Sequence, residues 1–156
     1  MKIYVASSWR NKYQPDVVKA LREAGHDVYD FRNPEPGNNG FAWSSIDPEW
    51  ERWTTEQFKA SLEHPIAKAG FNHDMKALSS AEATVLVLPC GRSAHLELGY
   101  AVLDQFTFVY SPEPMEPELM YRMVDGIYDS LPDLLEELIK VSSFSEGPDP
   151  QKESTP

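Results

Sequence analysis

Cysteine is nearly absent: Cys90 stands alone in 156 residues. That excludes an internal disulfide and fits a reducing cytosol, so a cytoplasmic location is expected. Basic residues are also scarce. Fourteen Lys and Arg stand against 25 Asp and Glu, a formal net charge of -11 with a pI of about 4.7. This balance argues against a nucleic acid polymer as partner, because phosphate backbones need clustered Lys and Arg. It leaves open a single nucleotide, which a few basic groups can hold. No apolar run approaches membrane-spanning length, so no membrane partner is expected. The start lacks the basic and apolar regions of a secretory signal. There is no Walker loop and no GxGxxG, so the usual triphosphate and dinucleotide fingerprints are missing. His26, His64, His73 and His95 show no ligand spacing, so neither a metal nor another cofactor is expected. No internal repeat is present.

What is there is an ordinary globular composition, 41% hydrophobic, on a chain long enough for one domain with a real core. Lys2–Ala6 reads as an inner strand, and residues 15–24 as a helix with Val17, Val18 and Leu21 inward and Gly25 ending it. Asp27–Phe31 reads as a second strand. Strand, helix, strand in some thirty residues is a βαβ unit, which makes the sheet parallel. Helices are expected at 56–60, 71–80, 118–124 and 132–141, and further strands at 84–88, 106–110 and 127–129. The resulting fold class is α/β: a single doubly wound, mostly parallel five-stranded sheet with helices on both faces, Rossmann- or flavodoxin-like. The domain spans 1–141. Residues 142–156 are polar and Pro-containing, and a disordered tail is expected there.

Residues 33–66 form an insertion unlike the rest, rich in Pro, Gly and Asn and then in Trp and acid. Trp43, Trp50 and Trp53 lie in it. A loop this long in a compact domain is usually functional or mobile. Two readings stand: a cover packing its aromatics on the sheet, or a lid stacking on a planar ligand such as a nucleobase.

The chain is organised around TVLVLPCGRSAHLELGYAVLD, residues 84–104. A buried β-branched run breaks at Pro89-Cys90-Gly91, and an amphipathic helix begins near Ser93. Ligands bind in such a crevice, outside the carboxyl ends of the strands. Glu97 is placed one turn into the helix, beside the core stripe of Ala94, Leu98, Ala101 and Val102. The helix dipole there favours an ionised carboxylate, which suits a nucleophile. The alternative is a surface acid that complements the dipole; with Ser93 as N-cap, Glu97 misses the capping-box position by one.

Three loops gather on one rim of a parallel sheet: Ser7–Asn11, the segment from Asn33 onward, and Gly91–Ser93. They offer Ser8, Arg10, Arg92 and Ser93, two hydroxyls and two guanidiniums beside a helix N-terminus, which suits an anion. A bare N-cap serine and solvated arginines are the competing reading. A thiol nucleophile at Cys90 is weighed too, since a following helix N-terminus lowers a thiol pKa. No partner histidine is evident from spacing.

Three stretches, IYVASSWRN at the start, NHDMKALSSAEATVLVLP in the middle and SAHLELGYA after it, resemble the nucleoside 2-deoxyribosyltransferase superfamily. That group also holds the 2'-deoxynucleoside 5'-phosphate N-hydrolases. The resemblance runs from about residue 1 to 110 and assigns nothing to 33–69. It implies an enzyme that cleaves an N-glycosidic bond, with Glu97 as nucleophile, Asp74 orienting the sugar or protonating the leaving base, and Tyr4 holding the Glu97 carboxylate. Ser8 and Arg10 fall where the hydrolases carry a phosphate-binding Ser-x-Arg, which places the chain nearer that branch. Gly91, Arg92 and Ser93 would complete the substrate loop. The implied partner is a small nucleoside or nucleotide, and the implied assembly a homodimer or higher homo-oligomer that shares a residue between subunits. A transferase and a non-catalytic nucleotide-binding module are the alternatives.

Overall fold

The structure, a computed structural model, describes residues 1–145, with 144 and 145 as backbone only. Five parallel strands form one sheet in the order β2-β1-β3-β4-β5. They are β1 (Lys2–Ala6), β2 (Asp27–Asp30), β3 (Ala83–Val87), β4 (Phe106–Tyr110) and β5 (Gly126–Tyr128). The helices are α1 (Gln14–Glu23), α2 (Thr55–Leu62), α3 (Pro65–Ser80), α4 (Arg92–Ala101) and α5 (Leu131–Ser145). This is the doubly wound α/β arrangement expected from the sequence. The central strand β3 is buried at every residue, which is why ATVLV reads as a continuous apolar run.

Strand alternation builds two cores. Ile3, Val5, Val85 and Phe108 face Val17, Leu21, Leu134 and Leu138 of α1 and α5. Tyr4, Ala6, Leu86 and Val109 face Leu78 of α3 and Ala94, Leu98 and Ala101 of α4. Successive side chains of a strand point to opposite faces, so a chemical group on β1 is assigned to a layer by parity alone.

Several boundaries depart from the sequence expectations. Helix α3 begins at Pro65, six residues before the expected Phe71. His64 caps it by accepting from the Ile66 N–H at 3.2 Å, and Pro65 follows at the first position, a favourable start that Gly70 obscures in the sequence. Gly70 is needed there: a Cβ at this position would lie 3.0 Å from the Phe41 Cβ. Helix α4 starts at Arg92 with Gly91 as its N-cap, not Ser93. The expected helix at 118–124 is a 3-10 segment, Leu119–Met123. Helix α5 continues through 142–145, against the expected tail; residues 146–156 of that tail lie outside the described residues.

In the 33–66 insertion Phe41, Trp43 and Trp53 pack on one another and on Phe58, while Trp50 is exposed. Phe41 meets Trp43 edge-on at 4.7 Å, and Trp43 meets Trp53 at 5.6 Å and Phe58 of α2 at 5.8 Å. The Trp53 indole N–H donates to Asp47 at 2.6 Å. The aromatics form a small cluster of their own between α2 and Gly70 of α3.

Candidate functional site

The site is built from three core-facing positions that carry polar groups. Tyr4 lies on β1 with the parity that faces α3 and α4. On α3, Asp74 falls between the buried Ala67 and Leu78, spaced by seven and four residues, so it shares their inward stripe. On α4, Glu97 follows Ala94 by three residues and precedes Ala101 by four, so it shares that stripe too. Both carboxylates therefore point toward the sheet and are only partly exposed.

They meet there. The Tyr4 hydroxyl hydrogen-bonds the Glu97 carboxylate, and the Asp74 charge acts on Glu97. Burial first, and Asp74 second, push Glu97 up to about 7, while the bond from Tyr4 pulls the other way. This reverses the expectation that the helix dipole keeps Glu97 ionised. Glu97 is the sixth residue of α4, beyond the first turn where the dipole acts, and desolvation dominates instead. Asp74 is also raised by burial, with the bond from Tyr29 opposing. Tyr4 is raised by burial and then by Glu97 and Asp74, so it is a neutral donor.

A fourth member was missed by sequence reasoning. The Tyr29 hydroxyl donates to Asp74 Oδ1 at 2.6 Å, and its ring stacks on Tyr4 at 5.2 Å and 16°. Sheet register explains it, since Tyr4 and Tyr29 are paired neighbours on β1 and β2. Tyr29 also lies 5.9 Å from the ring of His73, which pairs with Glu35 of the insertion at 3.6 Å.

The expected anion loop lies at the carboxyl ends of β1 and β3. The Ser7 hydroxyl donates to the Val87 carbonyl at 2.8 Å. The Asn11 amide donates to the Val87 and Pro89 carbonyls at 3.1 and 2.9 Å, and its oxygen accepts from Tyr13 N–H and Gln14 N–H at 2.7 and 2.9 Å. Asn11, another residue the sequence reading passed over, thus ties the loop that carries Ser8 and Arg10 to the one that leads to Gly91, Arg92 and Ser93. Arg32 supports it by donating to the Ser8 and Asn11 carbonyls at 2.7 and 2.8 Å. Ser8 Oγ accepts from the Arg10 N–H at 3.1 Å. The side chains of Arg10, Arg92 and Ser93 are exposed and make no bond among the described residues. Gly91 is exposed, and its carbonyl meets the His95 ring at 3.0 Å.

Cys90 does have a histidine beside it, five residues on: its sulfur lies 3.6 Å from His95 Nδ1. A helical turn brings them together across the loop, which spacing alone hid. The thiol is nonetheless pushed up to about 12, by burial and then by the Glu97 charge, which leaves it protonated and a poor nucleophile. The other His95 nitrogen meets the Tyr121 hydroxyl at 2.9 Å. Cys90, His95 and Tyr121 line a cavity of about 510 Å³ with Leu88, Ser111 and Met115. A second cavity, of about 400 Å³, lies beside α1 between Pro15, Arg22 and Asp30. Neither has Glu97 or Asp74 in its wall. Among the described residues, no three His, Cys, Asp or Glu side chains gather as a metal site, and no helix is long and apolar enough to cross a membrane.

No family profile matches this chain, and no curated protein matches its sequence. Solved structures do match. The fold is that of a 2-deoxyribosyltransferase. That protein, from the psychrotolerant bacterium Bacillus psychrosaccharolyticus, superposes with a TM-score of 0.57 at 23% identity, over 86% of this chain and 90% of its own. At that identity the likeness is one of architecture.

Proposed function

We propose that the chain cleaves the N-glycosidic bond of a deoxynucleoside 5'-monophosphate, with Glu97 as nucleophile, and releases the base to water. The observation that carries this reading is the convergence of Glu97 and Asp74 on one tyrosine-lined spot, beside the arginine-bearing rim loops. A Glu97 oxygen attacks the anomeric carbon as the bond to the base breaks. The departing base keeps the electron pair and takes up a proton from solvent, which the later hydrolysis of the ester by water returns. Water then hydrolyses the glycosyl ester and restores the carboxylate, as in retaining glycoside chemistry. The oxocarbenium-like transition state is stabilised by the nearby carboxylates. Asp74 accepts a bond from Tyr29, which supports an ionised acceptor that orients the sugar. Tyr4 is fully buried, so it acts through Glu97. Ser8, Arg10, Arg92 and Ser93 hold the phosphate, with the Gly91 backbone beside them.

The structural neighbour favours a second reading, since it is a 2-deoxyribosyltransferase: the same glycosyl-enzyme is captured by an acceptor base. A panel of nucleosides and nucleotides, followed by chromatography for free base with and without an added base, separates the two. Base release from monophosphates without acceptor supports hydrolysis. Turnover of nucleosides only rejects the phosphate-loop reading, and exchange only with acceptor rejects hydrolysis. Binding without product, unaltered by Glu97→Gln, rejects catalysis and leaves a binding module. The resemblance further implies a homo-oligomer, and the lone cysteine fits a cytoplasmic location. Light scattering during size exclusion tests the assembly, and a monomer at working concentration would reject it.

A further inference from the structure

We propose that Tyr29 is a positioning residue for this reaction: it holds Asp74 as an oriented, ionised acceptor for a sugar hydroxyl, as Tyr4 holds Glu97. The proposal rests on the reading of Glu97 and Asp74 given above and adds a division of labour to it. Parallel register sets the two phenols side by side, and stacking at 5.2 Å fixes both rings. Each then serves one carboxylate. Tyr4 reaches across to Glu97 on α4, and Tyr29 reaches Asp74 on α3 at 2.6 Å. A phenol that donates cannot be satisfied by a protonated carboxyl as well as by a carboxylate, because a bond to an ionised acceptor is roughly twice as strong. The bond falls on Oδ1, and the carboxylate keeps lone pairs on both oxygens with which to accept a hydroxyl from substrate.

The groups around Tyr29 and Asp74 come from four elements. Tyr4 is on β1, His73 on α3 next to Asp74, Glu97 on α4 and Glu35 on the insertion. His73 already pairs with Glu35, and Tyr4 with Glu97. Tyr29 is the one hydrogen-bond donor recorded on the Asp74 side chain among the described residues.

The test is a double-mutant cycle of Tyr29→Phe and Asp74→Asn, read as single-turnover base release from a deoxynucleoside monophosphate. Phe keeps the stack on Tyr4 and removes only the hydroxyl. We expect Tyr29→Phe to lower kcat/KM by about tenfold, the worth of a bond to a charged group, and to do almost nothing in the Asp74→Asn background. A carbon-13 titration of the free protein adds a readout without substrate. The Asp74 carboxyl should titrate at higher pH in Tyr29→Phe than in wild type, and should ionise before Glu97 in wild type. Equal losses in both backgrounds, an unchanged kcat/KM, or an Asp74 that keeps its proton past Glu97 would overturn the proposal. The wild-type titration can overturn the proposal even if the variant does not fold. Failure of Glu97→Gln to abolish turnover would instead sink the underlying reaction, so the two failures are distinguishable.

Discussion

In the proposed reaction Glu97 is the nucleophile, and its environment makes a signed forecast. Its pKa is pushed from 4.5 to about 7, chiefly by burial and then by Asp74. A nucleophile must be ionised, so kcat/KM should rise with pH through about 7 and level off above it. Asp74→Asn removes a repelling charge and should move that midpoint down. Tyr4→Phe removes a bond that favours the ionised form and should move it up. A rate profile flat between pH 5 and 9 would contradict all three expectations. The same shift has a stability consequence. Because the folded pKa lies above the unfolded one, the folded state binds this proton more tightly. Ionisation therefore costs stability progressively from about pH 4.5 to 7, and the cost is complete above that window. Glu97→Gln should raise the melting temperature at pH 8, by the equivalent of roughly 3 kcal/mol, and change little at pH 4. Thermal scans at the two values check the sign.

Elements, rather than single residues, decide how the rim and the insertion are held. The loop after β1 and the loop after β3 belong to distant parts of the sequence, yet one buried amide, Asn11, bonds both. Asn11→Ala removes four hydrogen bonds to backbone groups and should cost about 2–3 kcal/mol in a urea titration. It should also weaken any preference for monophosphates over nucleosides, since Arg10 and Arg92 would lose their fixed separation. An unchanged preference in a destabilised variant would separate Asn11 from the anion site. On the far side, the insertion is pinned where Phe41 rests on Gly70. Gly70→Val would force a branched side chain into that contact. Hydrogen exchange across 41–54 should then speed up while the strands keep their protection, at a cost of about 1–3 kcal/mol.

At the scale of the whole molecule, the sheet separates stability from chemistry. Both of its faces are packed, but only the α3 and α4 face carries Tyr4, Asp74 and Glu97. Leu138→Ala on one face and Leu98→Ala on the other each empty a fully packed position and should each cost about 2–5 kcal/mol. Assayed well below melting, Leu138→Ala should keep its kcat/KM. Leu98→Ala, next to Glu97 on α4, should lose a substantial part of it. Equal activities in the two variants would show that the site does not depend on the packing of its own layer. By itself the sequence determined the layer architecture. Short apolar runs such as KIYVA, the βαβ order and the apolar run at β3 are local patterns, and local patterns survive in one dimension. It also placed Glu97 beside the core stripe of its helix, whereas Asp74 stood out only through the family resemblance. Tertiary structure alone decided what those acids are. Register set Tyr29 beside Tyr4, folding brought α3 against α4, and burial then outweighed the helix dipole at Glu97. Charge states depend on distances between segments some twenty to ninety residues apart, and no spacing along the chain encodes those distances.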